Sequence, residues 1–215
     1  MTRADHVSGT DRIAEVAGQL PCRCIVNVQG DEPLIEPATI DAAVAPMLAD
    51  PSLEMSTISR PFVSLDEFRS PHIVKVVTNS FGDAMYFSRS PIPASAPSAA
   101  FPSAHGAKGE QLAAVPALAR AHVGLYVYRH DTLLKLAALP AAPLEREESL
   151  EQLRALSNGI RIRVVDTRHV AAGVDTPEDL ERVRSALRSL QNSDELPAVP
   201  HSSAVAFAER RGTTP

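Results

Sequence analysis

The run Cys24-Ile-Val-Asn-Val28, cut off at once by Gln29-Gly-Asp-Glu-Pro33, constrains the fold more than any other stretch of the chain. A near-continuous apolar run of this length has the character of a strand buried on both faces, and such strands belong to parallel sheets flanked by helices. Helical and strand patterns alternate around it. Asp11 to Leu20 places Ile13, Val16, Ala17 and Leu20 on one side of a helix, with Ser8 and Thr10 as candidate N-caps. Pro37 to Leu48 forms a second helix, with Pro37 in its first turn and Ile40, Val44, Met47 and Leu48 inward. Met55 to Ser59, Ile73 to Thr78 and Ala84 to Arg89 read as strands, and Asn79-Ser-Phe-Gly-Asp83 joins the last two as a hairpin. His122 to Arg129 is a further strand, followed by a short helix capped by Asp131. Leu144 to Leu156 reads as one amphipathic helix closed by Asn158-Gly159, and Ile160, Ile162 and Val164 alternate with arginines as a half-buried strand. Thr176, Pro177 and Asp179 signal the start of a last helix with Leu180, Val183, Leu187 and Leu190 as its stripe.

These elements predict an α/β fold, a sheet covered by helices, in one domain over residues 1–190. Residues 91–117, rich in Pro, Ala, Ser and Gly, are expected to form a long surface loop, and 191–215 a disordered tail. Aromatics make up only 4% of the 215 residues and Trp is absent, so the core must rest on aliphatic side chains. A net charge of −5 argues against a nucleic-acid polymer as partner, since such proteins carry a basic face. No apolar run is long enough for a membrane span, and the polar start MTRADHVSG is unlike a signal peptide. Cys22 and Cys24, two apart, would share one face of a strand, a poor geometry for a disulfide. A reduced, cytoplasmic setting is expected.

The chemistry concentrates after the apolar run. Open α/β sheets bind ligands beyond the carboxyl ends of their strands, where Gly30 permits a sharp turn and Asp31 would stand at the rim. A carboxylate there suits a magnesium ion bridging phosphates, although a solvated turn would use the same residues. Asp175, ahead of the last helix, could supply a second carboxylate to that metal or could simply cap the helix. Arg3, Asp5, Ser8 and Gly9 crowd the entry to the first helix, where unpaired N–H groups can bind an anion. Arg89, His122 and Tyr126 could face an acidic sugar, Arg89 through its bidentate fork, and Glu151 or Gln152 could look into a cleft from mid-helix.

Taken together, several segments resemble the 3-deoxy-manno-octulosonate (KDO) cytidylyltransferases. They are Met1-Thr-Arg-Ala-Asp-His-Val-Ser-Gly-Thr-Asp-Arg12, Val26-Asn-Val-Gln-Gly-Asp-Glu-Pro33, Val74-Lys-Val-Val77 and Tyr86-Phe-Ser-Arg-Ser-Pro-Ile-Pro93. They continue with His122-Val-Gly-Leu-Tyr-Val-Tyr-Arg129, Pro143-Leu-Glu145, Ser149-Leu-Glu-Gln-Leu-Arg154 and Gly173-Val-Asp-Thr-Pro-Glu-Asp-Leu180. The resemblance runs in order over residues 1–188. It implies a Rossmann-like nucleotidyltransferase sheet with a β-rich subregion for substrate and dimer contacts. The implied activity is magnesium-dependent transfer of CMP from CTP to KDO, releasing pyrophosphate, in lipopolysaccharide biosynthesis. By that resemblance Asp31 and Asp175 would be catalytic and hold Mg2+. Arg3, Ser8, Gly9 and Gln29 would contact the nucleotide, and Arg89, His122, Tyr126, Glu151 and Gln152 would form the sugar pocket. A homodimer is implied as well.

Family members open with a strand and an arginine- and lysine-bearing loop that grips the CTP triphosphate, and neither is found in these 215 residues. The expectation is a missing first βαβ portion, from a start codon assigned too late or a true fragment, with catalysis by this chain alone impaired. Two other readings remain: a CMP-sugar synthetase for another acidic sugar, and a non-catalytic fragment that binds sugar or pairs with a full-length subunit.

Overall fold

The structure is a computed structural model that describes residues 2–6, 8–30, 32–94, 115–168, 174 and 177–192. The chain divides into two compact units, Met1–Gly173 and Val174–Pro215. The first carries helices α1 (Gly9–Ala17), α2 (Pro37–Ala49), α3 (Leu65–Arg69), α4 (His130–Ala138), α5 (Pro143–Glu148) and α6 (Gln152–Ser157). Its strands are β1 (Cys24–Asn27), β2 (Met55–Arg60), β3 (Lys75–Thr78), β4 (Ala84–Ser88), β5 (Arg120–Arg129) and β6 (Ile162–Asp166). In the second unit α7 spans Pro177–Asn192, with Pro177 at its first position and Val183 buried; Leu180 and Leu187 are partly exposed. Thr176, the side chains of Asp179 and Leu190, most of the 91–117 loop and the tail beyond 192 lie outside what the structure describes.

The expected helix-covered sheet forms, in the order β4-β3-β5-β2-β6, with β1 also paired to β5. Among the described residues only β2 and β6 run parallel. β1 is therefore a correction. It pairs antiparallel with β5 and is half-buried, because its one described neighbour leaves Val26 and Val28 partly exposed. The strand buried end to end is β2, all six residues of which are inaccessible between β5 and β6. β2 occupies one edge of β5, so β1 and β3 share the other. β1 covers Tyr126 to Arg129 and β3 covers Arg120 and Ala121, so the middle of β5 is left open between them.

Two apolar clusters pack the two faces. One holds Met55, Phe87, Tyr128, Leu133, Leu153 and Ile162; the other sets Ala43 and Met47 of α2 against Ile58, Leu125 and Val127. The helix faces depart from those expected only in part, since Ile13 and Ala17 of α1 and Ile40, Val44 and Met47 of α2 do pack inward. α1 buries Thr10, Ala14 and Ala17 while Val16 and Leu20 lie largely in solvent, and α2 leaves Leu48 outside. Asp131 does not cap α4: it sits in the first turn, after Arg129 at the cap position, whose side chain makes no capping bond. The five-residue α3, capped by Ser64, is too short to show a periodic pattern in the sequence.

The largest departure lies between residues 143 and 157, where a single helix was expected. Ser149 adopts the left-handed conformation (φ 53°) and ends α5, and Leu150 N–H closes the turn on Glu145 O at 3.1 Å. α6 restarts at Gln152. It ends in the same manner, with Gly159 at φ 73° and Ile160 N–H on Ala155 O at 3.0 Å. Glu151 and Gln152 are thus at the head of a short helix rather than mid-helix.

Candidate active site

The open middle of β5 is the floor of a cleft of about 340 Å³. His122, Gly124, Tyr126 and Tyr128 project from the strand at alternate positions, all to this face. Gln29, just past β1, lies over Gly124; a β-carbon there would sit 3.3 Å from Gln29 Cγ, so the glycine makes room for it. Arg89 enters from the end of β4, Gly9 and Thr10 from the head of α1, and Ser149 to Gln152 from the α5–α6 corner. Seven of the residues singled out in the sequence meet here: Gly9, Gln29, Arg89, His122, Tyr126, Glu151 and Gln152.

Arg89 is held from both ends. Its Nε donates to Glu148 O at 2.8 Å and Nη1 to Pro71 O at 3.2 Å, while Nη2 lies 3.5 Å from Ser149 O. Its backbone N–H donates to Glu148 Oε2 at 2.9 Å, and its carbonyl accepts from Lys75 Nζ at 2.8 Å. Glu148 also accepts from Ser88 Oγ at 2.7 Å. Burial raises the Glu148 pKa, but the bonds from Ser88, Arg89 N–H and Tyr86 outweigh it and leave the carboxyl below its ordinary value. Lys75 is fully buried, and burial, together with Arg89, lowers its pKa. The Arg89 fork retains N–H groups for a ligand, since carbonyls engage only part of its five donors.

Glu151 reaches back to α1. Its carboxylate accepts from Gly9 N–H at 3.2 Å and Thr10 N–H at 3.1 Å, and also from the Thr10 hydroxyl. The free N–H groups at the head of α1, expected to meet an anion, meet this side chain. Burial pushes the hydroxyls of Tyr126 and Tyr128 well above the ordinary phenol range, so both stay protonated. His122 is packed edge-on against Phe87 at 5.0 Å and tilted on Tyr126 at 5.3 Å. Desolvation pushes its pKa down to about 3, so at neutral pH the ring is neutral rather than a cation.

Two predicted nucleotide contacts stand apart from this cleft. Ser8 caps α1, its Oγ accepting from Asp11 N–H at 3.1 Å. Arg3 lies in a wider surface cleft with Asp5, His6 and Glu15, 3.3 Å from Asp5 and 3.7 Å from Glu15. Asp31 and Asp175 lie outside the described residues. Among the described residues no three His, Cys, Asp or Glu side chains gather to hold a metal, Cys22 and Cys24 are free thiols, and no helix is long and apolar enough to cross a membrane. Sequence reasoning missed Thr10, Asn27, Tyr128 and Ser149 in the cleft wall, and Lys75 and Glu148 behind it. Lys75 and Glu148 bear charges within otherwise ordinary strand and helix patterns, and only the fold shows that Lys75 is buried and that Glu148 bonds to Arg89.

A family model for cytidylyltransferases matches residues 1–162. The chain is 54% identical to the 3-deoxy-manno-octulosonate cytidylyltransferase of Syntrophotalea carbinolica over 195 residues, 88% of this chain and 73% of that protein. It is 52% identical to the protein of the same name from Pelobacter propionicus, over 89% of this chain and 73% of that one. The solved structure of a CMP:2-keto-3-deoxy-manno-octonic acid synthetase complexed with CTP superposes with a TM-score of 0.75 at 40% identity, covering 88% of this chain and 72% of that one. With the sheet, the cleft at its open middle strand and these likenesses in agreement, the chain belongs to the cytidylyltransferase family, beside the relatives named for 3-deoxy-manno-octulosonate.

Proposed function

We propose that the chain transfers CMP from CTP to KDO, giving CMP-KDO and pyrophosphate for lipopolysaccharide biosynthesis. The observation that carries this reading is the convergence of Gln29, Arg89, His122, Tyr126, Glu151 and Gln152, drawn from four parts of the chain, on one cleft. The relatives' shared name favours KDO over another acidic sugar. In the transfer, the anomeric hydroxyl oxygen bonds to the α-phosphorus as the bond to the pyrophosphate oxygen breaks, and the hydroxyl proton leaves to solvent or base. Such chemistry depends on positioning and on neutralising charge rather than on covalent help from the protein. Arg89, pre-set by Glu148 and Lys75, offers its remaining N–H groups to the sugar carboxylate. The protonated Tyr126 and the neutral His122 offer partners to sugar hydroxyls, and Gln29, in the same cleft wall, would sit between nucleotide and sugar. Glu151 fixes the α1 head against α6.

Asp31 and Asp175 would be the residues that hold magnesium, as hard oxygen donors of the kind it takes. When bound, the ion would offset the charge developing on the phosphates. We place the protein in the cytoplasm, and as a homodimer through the β3–β4 hairpin, where Phe81 and Met85 are 77% and 63% exposed. The test is pyrophosphate release from CTP with KDO, with a sialic-acid-type sugar in its place, and with magnesium chelated. Release with KDO that stops on chelation is expected. Release that survives both Asp31→Ala and Asp175→Ala would refute the metal role, and release with the other sugar alone would refute KDO.

A further inference from the structure

We infer that Thr57 is a positioning residue that fixes the tautomer of His122, so that the imidazole presents an unprotonated Nδ1 to the cleft and accepts a hydrogen bond from a sugar hydroxyl. The inference rests on the reading above that a sugar acid fills this cleft.

It starts from an irregularity in the sheet. Along β2 and β5, Thr57 pairs with Tyr126 but Ile58 pairs with Val123, so Gly124 and Leu125 bulge out of the register. Bulges leave backbone groups without ladder partners, and a buried carbonyl needs a donor from elsewhere. The fully buried Thr57 hydroxyl provides one for Leu125 O, at 2.7 Å. A carbonyl oxygen cannot donate, so an O···O contact this short requires the hydroxyl proton between the two atoms. Val123 O, at 3.4 Å, is the weaker alternative acceptor, and it too would consume that proton.

Thr57 has one proton, and it is spent on the bulge. Its oxygen is also 2.9 Å from His122 Nε2. At that contact the oxygen can only accept, so Nε2 carries the hydrogen. A neutral imidazole has one N–H, and desolvation keeps this ring neutral, so Nδ1 is bare. Nδ1 has no hydrogen-bond partner among the described residues and is not sealed from solvent, so it opens to the cleft that His122 lines. Phe87 and Tyr126 pack against the ring and oppose a flip that would exchange its edges. A ring fixed in this form takes a hydroxyl donor and disfavours a carboxylate. The anionic end of the substrate is thereby left to Arg89, which orients the sugar in the cleft.

The experiment is ring-nitrogen NMR on the full chain labelled with 15N-histidine, at neutral pH, with His122 assigned from the peak lost in His122→Gln. Wild type without ligand is expected to show a protonated Nε2 and a bare Nδ1. KDO should shift the Nδ1 resonance, and CTP alone should not. Thr57→Val, which keeps the shape but loses the hydroxyl, should populate the other tautomer and raise KM for KDO about tenfold with KM for CTP unchanged, while Thr57→Ser should restore both. A proton on Nδ1 in the wild type overturns the inference whether or not any variant folds, as does a folded Thr57→Val with unaltered tautomer and KM. A bare Nδ1 that KDO leaves unmoved overturns the acceptor role. Pyrophosphate release from the same sample then shows whether the reading of the cleft falls with it.

Discussion

The α5–α6 corner and the entry to α1 are both built from arginines and carboxylates, and they differ in where water is. At the corner, Arg154 and Glu145 form a two-point ion pair with side chains only 7% and 9% exposed, and Arg154 also reaches Leu136 O at 3.3 Å. At the entry, Arg3 and Asp5 are 70% and 75% exposed. Removing water makes each partner indispensable to the other, because a charge left alone inside cannot be rehydrated. An exposed pair has water as a ready substitute and contributes little. The corner is therefore a rigid wall that positions Glu151, Gln152 and Arg89, whereas the entry can rearrange around a ligand at small cost.

The difference is open to direct attack. Arg154→Ala should have the largest effect, lowering unfolding free energy by about 3 kcal/mol in urea titrations, because Glu145 would stay buried without its cation. An effect near zero would show the corner to be no more rigid than the entry. Next is acid stability. His122 is neutral when folded, with a pKa of about 3, but titrates near 6.5 when unfolded, so the unfolded chain binds more protons as pH falls between these values. Stability from this group should be complete above pH 6.5 and decline below it, by about 2 kcal/mol on reaching pH 5 at roughly 1.4 kcal/mol per pH unit. The decline is read as wild type minus His122→Phe, since His130, raised chiefly by Asp131, acts in the opposite sense. Arg89→Lys, which keeps the charge and loses the fork, should raise KM for KDO about tenfold and leave KM for CTP unchanged in steady-state assays. Arg3→Ala should leave the urea midpoint unchanged, and any effect should fall on KM for CTP.

Much of this site was legible in the sequence, and the residues show why. Gln29, Arg89, His122, Tyr126, Glu151 and Gln152 stand in ordered motifs, and the cleft gathers all six. Arg3 and Ser8 stand in an equally recognisable motif, yet one lies in a surface cleft and the other caps a helix. Two helix ends make the limit plain. α6 ends on Gly159 and α5 on Ser149, both left-handed and both closed by a bond from the next N–H. Glycine announces such an end because it adopts a positive φ without strain, whereas serine gives no sign. The break that brings Glu151 to the cleft was therefore invisible.

The sequence by itself determined the alternation of strands and helices, the alternating burial at Ile160, Ile162 and Val164, and the residue types at the site, since periodicity and turn chemistry are local properties. Tertiary structure alone decided that β1 lies antiparallel beside β5, that Lys75 is buried and Glu148 half-buried behind Arg89, and that a bulge places Thr57 on His122. Each of these depends on which distant segment excludes water from a given side chain or supplies its missing hydrogen bond. Segments such as β2 and β5, more than sixty residues apart at the Thr57–His122 contact, leave no trace of that in either local pattern.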